Sequence, residues 1–244
     1  MRHLLFISAL LFLTACQVSI TPGESPHTLT AQEHIATADF DEVRVRNAFN
    51  IILIPSERYE VVIPENLRLP VGLDAKDIIS VSDGTLMIAI PESFTGRNNF
   101  RINRRQPDIR VYFKSLNSLR LSGAADAKSE GTINAGKFQI RLSGASGVKL
   151  DIVAETITSE MSGASSLTLT GRANEHHITA SGASNVKAEK LETRKSTIRI
   201  SGASDAKITA EEVTGSASGA SEVRINREAQ HNISTRGSSS VRTL

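Results

Sequence analysis

The sequence of 244 residues contains no tryptophan, two tyrosines and one cysteine. The shortage of aromatic rings counts against a lectin or glycosidase that stacks sugars on tryptophan and tyrosine. The single cysteine excludes a disulfide within the chain. The apolar residues are mainly Ile, Leu and Val, which favour strands, and at 39% hydrophobic residues the chain can bury a core.

The N-terminus has the pattern of an export signal. Arg2 precedes an apolar run over residues 4–13, too short to span a bilayer but typical of the hydrophobic region of a secretory signal. The sequence Leu-Thr-Ala-Cys that ends at Cys16 looks like the lipobox of bacterial lipoproteins. We therefore predict that residues 1–15 are removed and that Cys16 is lipidated. The alternative is an ordinary secretory signal with a coincidental cysteine.

The remaining chain divides into three parts by composition. Residues 16–38 are rich in Thr, Ser, Pro and Glu and predict a flexible tether. Residues 39–108 predict a β-rich N-terminal part, in which Asp83-Gly84 suits a tight hairpin turn. Residues 109–244 predict repeating coils. Removal of Arg2 with the signal leaves 27 Lys and Arg against 26 Asp and Glu, so only local charge can indicate a polyanionic partner.

A basic insertion interrupts the β-rich part. Four arginines lie among Asn and Gln with little acid to offset them: Arg97, Arg101, Arg104 and Arg105. They predict a contact for lipid head groups, lipopolysaccharide phosphates or nucleic acid. The alternative is a solvated loop with local ion pairs, and with few aromatic rings nearby we expect no nucleic acid partner.

The tetrapeptide Ser-Gly-Ala-Ser dominates the C-terminal half. Variants of it begin at Ser122, Ser143, Ser162, Ser181, Ser201, Ser218 and Arg236. The 17 to 21 residues between successive starts indicate a repeat in which each unit is one coil of a solenoid. Residues three and one before the motif, and five and seven after its first residue, are mainly apolar, so each motif is flanked by two short strands with one face inward. The sequence predicts an all-β fold, a right-handed parallel β-helix or β-solenoid.

The repeated serines invite a nucleophile hypothesis, which their context opposes. Three copies match the Ser-x-x-Lys pattern of penicillin-recognising enzymes, yet they lie on predicted strands and recur, whereas an active site is normally unique. His176 and His177 are adjacent and point to opposite faces of a strand, so they predict no metal site. We expect no catalytic residue, cofactor or metal.

An outward column of the repeats is basic. Six residues after the motif start lie the members of what we call the basic stripe: Lys128, Lys149, Lys187, Lys207, Arg224 and Arg242. The repeat in between has Thr168 at this position. The stripe predicts a linear site for an anionic polymer. The alternative is a solubilising face on which neighbouring acidic residues and salt reduce the repulsion between the like charges.

The chain resembles the head GIN domain family of auto-transporter adhesins. The resemblance depends on the opening Phe40–Val45, on Leu86–Ile88 and on corners such as Ile140–Ser146, and it covers roughly residues 39–244. It implies a β-helical fold in bacterial envelope proteins, often lipoproteins. It implies no activity and carries over no site residue.

The combined prediction is a non-catalytic adhesion or binding module of the cell envelope, anchored at Cys16 to the outer membrane. The expected partners are the membrane, an anionic polysaccharide or lipopolysaccharide, and further copies of the chain. Two alternatives remain open. One is a β-helix enzyme acting on polysaccharide, and the other is a scaffold that self-associates through exposed strand edges at the solenoid end.

Overall fold

The computed structural model describes residues 27–94 and 106–244, which form strands with short connections. These two ranges contain no α-helix, only two short 3-10 turns at Ala75–Ile78 and Glu92–Phe94. The strands are β1 His27–Thr28, β2 Glu33–Ala36, β3 Glu42–Val45, β4 Asn50–Pro55, β5 Glu60–Ile63, β6 Arg68–Leu69, β7 Ile79–Ser82, β8 Thr85–Ile88, β9 Ile109–Phe113, β10 Ser118–Leu121, β11 Asp126–Leu142, β12 Gly147–Met161, β13 Ser166–Ala180, β14 Asn185–Ile200, β15 Asp205–Gly219, β16 Glu222–Ile225, β17 Gln230–Gly237 and β18 Ser240–Thr243.

The repeats stack in parallel, each strand on the equivalent strand of the coil before it. The order β8-β3-β10-β11-β12-β13-β14-β15-β16-β18 is parallel throughout, and β15 also pairs with β17. Equivalent residues of successive repeats are register partners, as with Val148, Leu167 and Val186. The predicted parallel β-solenoid is therefore confirmed, with about seven turns.

Each long strand turns a corner halfway along. In β12 every second residue is buried from Val148 to Ala154 and again from Ile157 to Met161, but Glu155 and Thr156 are consecutive residues outside the core. This shift in alternation lets two straight runs of one coil both point their apolar residues inward. The core is thus a set of columns of Ile, Leu, Val and Ala that follow the solenoid axis.

The Ser-Gly-Ala-Ser motif forms the other corner, where only glycine fits the second position. Gly163 has φ +76°, and a Cβ at that position would lie 2.5 Å from the carbonyl oxygen of Gly144 in the preceding coil. The next residue, Ala164, donates its N–H to that same oxygen at 2.8 Å. The corner glycines therefore stack on one another along the solenoid.

The serines of the motif stabilise the corner. Fourth-position serines are buried, and their hydroxyls donate to the carbonyl of the first residue of the same corner at 2.6–2.9 Å: Ser146, Ser165, Ser184, Ser204 and Ser221. First-position hydroxyls such as that of Ser162 lie 3.3–3.5 Å from a carbonyl of the preceding coil. Short hydrogen bonds within each corner satisfy the buried hydroxyls, and the first-position hydroxyls make longer contacts to the preceding coil.

An additional coil precedes the repeats found in the sequence. Strands β3 and β4 flank a corner at residues 46–49, where Asn47 adopts φ 68° in place of glycine. The backbone of Asn47 supports Gly123 as Gly144 supports Gly163. Beyond this coil, β7 and β8 form the predicted hairpin, with positive φ at Asp83 and Gly84 as a type I′ turn requires.

Part of the predicted tether is instead paired in sheets. Strand β1 pairs antiparallel with β6, and β2 pairs antiparallel with β5. Leu29 is buried, and Nδ1 of His34 lies 2.8 Å from Oε1 of Glu60. The prediction of a flexible tether is therefore wrong for residues 27–36, because β5 and β6 offer unpaired backbone groups that this segment satisfies. Residues 16–26, including Cys16, lie outside the described residues.

Candidate anion-binding surfaces

The basic stripe is one continuous register column. Lys128 pairs with Lys149, then Thr168, Lys187, Lys207, Arg224 and Arg242 follow, each as the direct register partner of the one before. The sequence neighbours of the central members are buried, for example Val148 and Leu150 beside Lys149, so these basic side chains point outward. The strand positions thus place the cations along one outer face.

Acidic residues form ion pairs with the basic residues at the two ends of the stripe, but not with the three lysines in its middle, as far as the described residues show. Lys128 contacts Asp108 at 2.8 Å. At the other end, Glu222 contacts Arg224 at 2.7 Å and Arg242 at 3.3 Å. Within the described ranges, no carboxylate lies within ion-pairing distance of three members of the stripe: Lys149, Lys187 and Lys207.

Hydrogen bonding fixes the charges at the C-terminal end of the stripe. The hydrogen bond from Arg224, together with the charges of Arg224, Arg242 and Lys207, lowers the pKa of Glu222 below its ordinary value. The same hydrogen bond and the charge of Glu222 raise the pKa of Arg224. Both groups therefore stay ionised over the physiological range, and the pair cancels its own charge locally.

A small cavity lies along part of the stripe. The cavity that lies along it, beside Lys187, Lys207 and Arg224, has a volume of only about 110 Å³. Pockets for small molecules usually enclose roughly 300–1,000 Å³. A cavity this small suits an extended chain that lies across the coils better than a compact ligand.

A second basic column was missed by the sequence analysis. Arg44, Arg120 and Arg141 are register partners in three successive coils, two residues before each corner. Arg46 lies beside them, at the position that later coils fill with the first serine of the corner. A cavity of about 630 Å³ opens among these arginines, and we call it the arginine groove. The signal was present in the sequence, because Arg120, Arg141 and Arg199 all lie two residues before a motif.

Two carboxylates hold the arginines of this groove. Oε1 of Glu42 lies 2.6 Å from Nε of Arg44 and 2.7 Å from Nε of Arg120. Oε2 of Glu160 lies 2.7 Å from Nε of Arg141. The hydrogen bond from Arg44, with the charges of the three arginines, lowers the pKa of Glu42 despite its partial burial.

A serine and a histidine meet inside the core. Oγ of Ser159 lies 3.0 Å from Nε2 of His176, and both side chains are fully buried. Nδ1 of His176 has no hydrogen-bond partner among the described residues. Burial lowers the pKa of His176 to about 3, helped by the charge of His177. A substrate has no access to this pair, so its role is in the core.

The remaining predicted sites lie outside the described residues. Cys16 and the four arginines of the basic insertion, Arg97, Arg101, Arg104 and Arg105, are not among the described residues. Residues 27–94 and 106–244 contain no group of three or more His, Cys, Asp or Glu placed to hold a metal ion. In the same ranges no helix is long and apolar enough to cross a membrane.

The protein is a parallel β-solenoid. Its coils stack with their corner glycines in contact, and its outer columns form an extended charged surface. The chain belongs to the family described as putative auto-transporter adhesin, head GIN domain, whose model matches residues 39–229. This confirms the resemblance found in the sequence. The match includes the coil formed by β3 and β4.

Solved structures share this fold at low sequence identity. A putative adhesin from Bacteroides fragilis is 16% identical with a TM-score of 0.76, covering 87% of this chain and 96% of that one. A putative lipid binding protein from Parabacteroides distasonis is 18% identical with a TM-score of 0.61 and the same coverage. A putative adhesin from Parabacteroides merdae is 15% identical with a TM-score of 0.58, covering 88% and 95%. No curated protein matches the chain.

Proposed function

We propose that this protein is a non-catalytic binding module of the bacterial cell envelope, lipid-anchored through Cys16, that holds an anionic polymer along the basic stripe. Membership of an adhesin family supports a binding role at the cell surface or envelope. The sequence pattern at residues 1–16 supports the lipid anchor.

One observation carries the proposed ligand class. Lys149, Lys187 and Lys207 stand in one register column without an ion-pair partner among the described residues. Adjacent parallel strands are about 4.8 Å apart, so Lys149 and Lys207, three coils apart, are separated by about 14 Å. A row of ammonium groups without ion-pair partners, one or two coils apart along one column, matches a chain that carries acid groups along its length.

Acidic polysaccharide and lipopolysaccharide both present such groups. A single-stranded nucleic acid would also need aromatic rings for base stacking. The two tyrosines of the chain, Tyr59 and Tyr112, lie elsewhere, in the N-terminal part. Saccharide-borne carboxylates or phosphates are therefore the better fit to a stripe of lysines.

The stripe is tested by changing its three unpaired lysines to glutamine, Lys149→Gln, Lys187→Gln and Lys207→Gln together. Binding of alginate and of lipopolysaccharide is measured by surface plasmon resonance at several salt concentrations. We expect at least ten-fold weaker binding of the recognised polymer and a shallower salt dependence, because fewer counterions are exchanged on binding. The two polymers distinguish carboxylate from phosphate as the recognised acid.

A matched control changes three exposed lysines away from the stripe, Lys76→Gln, Lys137→Gln and Lys195→Gln. It removes the same net charge, and we expect it to weaken binding less than three-fold. Unchanged, salt-sensitive binding by the stripe variant, or an equal loss in both variants, would contradict the proposal.

A further inference from the structure

The arginine groove lies on a different face from the basic stripe. Its arginines lie two residues before the Ser-Gly-Ala-Ser corner, whereas the stripe lies six residues after the corner begins. From its geometry we infer that the groove is a second site, which binds the phosphate or carboxylate of a small acidic sugar. This inference does not depend on the function proposed for the stripe.

The groove concentrates like charges that the fold alone does not require. Arg44, Arg120 and Arg141 are direct partners in adjacent strands, where like charges are destabilising. Arg46 adds a fourth guanidinium, 3.5 Å from Glu92 at an exposed position. In the same column other coils carry uncharged residues, Thr179 and Ser216, so the solenoid does not need arginine there.

The carboxylates orient the arginines without using all of their donors. Glu42 and Glu160 contact Arg120 and Arg141 through Nε. In the described part of the chain, the Nη atoms of Arg120 and Arg141 donate no hydrogen bond. Arg141 is therefore held by a hydrogen bond from Nε and Arg120 by an ion pair at Nε, and both keep their Nη–H groups for a further acceptor.

The exposure of these side chains fits a site that is oriented before a ligand binds. The side chains of Arg44, Arg120 and Arg141 are 38%, 35% and 38% exposed, so each is about two-thirds covered by protein. A guanidinium fixed in this way loses less conformational freedom on binding than a fully exposed one. Two such groups about 4.8 Å apart can donate to one oxyanion from neighbouring coils.

The walls of the groove suit a sugar that carries the acid group. The corner hydroxyls of Ser143 and Ser162 line it and make only contacts of 3.5 Å to protein carbonyls. Hydroxyls held so weakly can exchange hydrogen bonds with the hydroxyls of a saccharide. The volume of about 630 Å³ lies within the range of small-molecule sites. Guanidinium groups supply charge and two-pronged geometry, and serines supply neutral polar contacts.

The test is calorimetric titration of the full-length protein with glucose 6-phosphate, with glucuronate and with glucose. We expect one of the two acidic sugars to bind at least ten times more tightly than glucose, which identifies phosphate or carboxylate as the recognised group. In Arg120→Gln with Arg141→Gln, we expect binding of that sugar to weaken at least ten-fold.

The matched control is Arg199→Gln. It removes an exposed arginine from the same column, outside the groove, and should change binding less than two-fold. The triple lysine variant of the stripe should bind the acidic sugar as the unchanged protein does, which separates failure of the two proposals.

If the glutamine pair disturbs folding, Arg120→Lys with Arg141→Lys retains the charges opposite Glu42 and Glu160. Lysine lacks the planar fork, so this variant should still weaken binding at least three-fold. Equal binding of glucose and both acidic sugars, no binding of either acidic sugar, or unchanged binding in the lysine pair would overturn the inference.

Discussion

His176 places a titratable ring in the column that holds Phe138, Ile157 and Val213 in other coils. The neutral ring fits there, with Ser159 as its partner and Ser196 in the next coil. The protonated ring would put an unpaired charge in the core, and burial accordingly lowers its pKa from 6.5 to about 3.

This histidine should make the solenoid sensitive to acid. Because its pKa is lower in the folded chain than in the unfolded chain, the unfolded chain takes up the proton first as the pH falls below 6.5. The loss of stability begins there and continues down to about pH 3. We expect His176 to lower the free energy of unfolding by about 2 kcal/mol between pH 7 and pH 5, measured by urea unfolding.

Replacing the polar pair isolates this effect. Ser159→Ala with His176→Val should remove about 2 kcal/mol of the loss between pH 7 and pH 5, because no titratable group remains at that core position. Ser159→Ala alone retains the histidine and should retain the acid sensitivity. An equal pH dependence in the double variant and the unchanged protein would refute the assignment to His176.

At the scale of the element, the corner depends on contact between backbones of successive coils. Gly163→Ala would force a side chain into positive φ and place its Cβ 2.5 Å from the oxygen of Gly144. Positive φ costs a residue with a side chain about 1–2 kcal/mol, and the clash adds to it. We expect a loss of about 3 kcal/mol or more in the free energy of unfolding, measured with urea.

Gly136→Ala is the matched control for the corner. Gly136 lies in β11 with an ordinary φ, and a Cβ there would meet no atom within 4 Å. Alanine restricts the unfolded chain, so this variant should be neutral or slightly more stable. A similar loss at both positions would show that the corner contact is not the cause.

The sequence predicted the elements whose signals are local and repeated. Alternation around each motif predicted the strands, the inward columns and the stripe, because a parallel register carries one repeat directly onto the next. The first coil was missed because Asn47 replaces the glycine and residues 56–117 separate this coil from the next. The pairing of residues 27–36 with β5 and β6 was missed because such contacts leave no trace in local periodicity.

The arginine groove was missed for a related reason. Two of its arginines precede the repeats in sequence, so alignment of the motifs did not bring Arg44 beside Arg120. The remaining pair, Arg120 and Arg141, is followed in its column by Glu160 and Thr179, which obscures the basic character. Arg44 and Arg46 come beside Arg120 and Arg141 only because β3 pairs with β10.

In the whole molecule, each coil contacts mainly its two neighbours, so stability should vary along the axis. The N-terminal end is covered by antiparallel strands, whereas most residues of β17 are exposed. We expect amide hydrogen exchange to be slowest in β12 to β14 and fastest in β17 and β18.

The same substitution in one core column tests this gradient. Ile178 is buried in a central coil, while Ile233 is only partly buried in the last described one. Ile178→Ala should lower the free energy of unfolding by about 3 kcal/mol, and Ile233→Ala by less than about 1 kcal/mol. Equal effects in urea unfolding would indicate that both positions contribute to one uniform cooperative core.

The stacked glycines give the molecule a modular length. Each corner glycine packs against the carbonyl oxygen of the corner glycine in the preceding coil. Its own carbonyl oxygen makes the same contact with the corner glycine of the following coil. A whole coil can therefore be gained or lost by duplication or deletion of about twenty residues, because the coils that become neighbours make the same glycine contact. Such a change would lengthen or shorten the outer columns by about 4.8 Å and leave their chemistry intact. Natural selection can then change the length of the outer columns without changing the residues that they present.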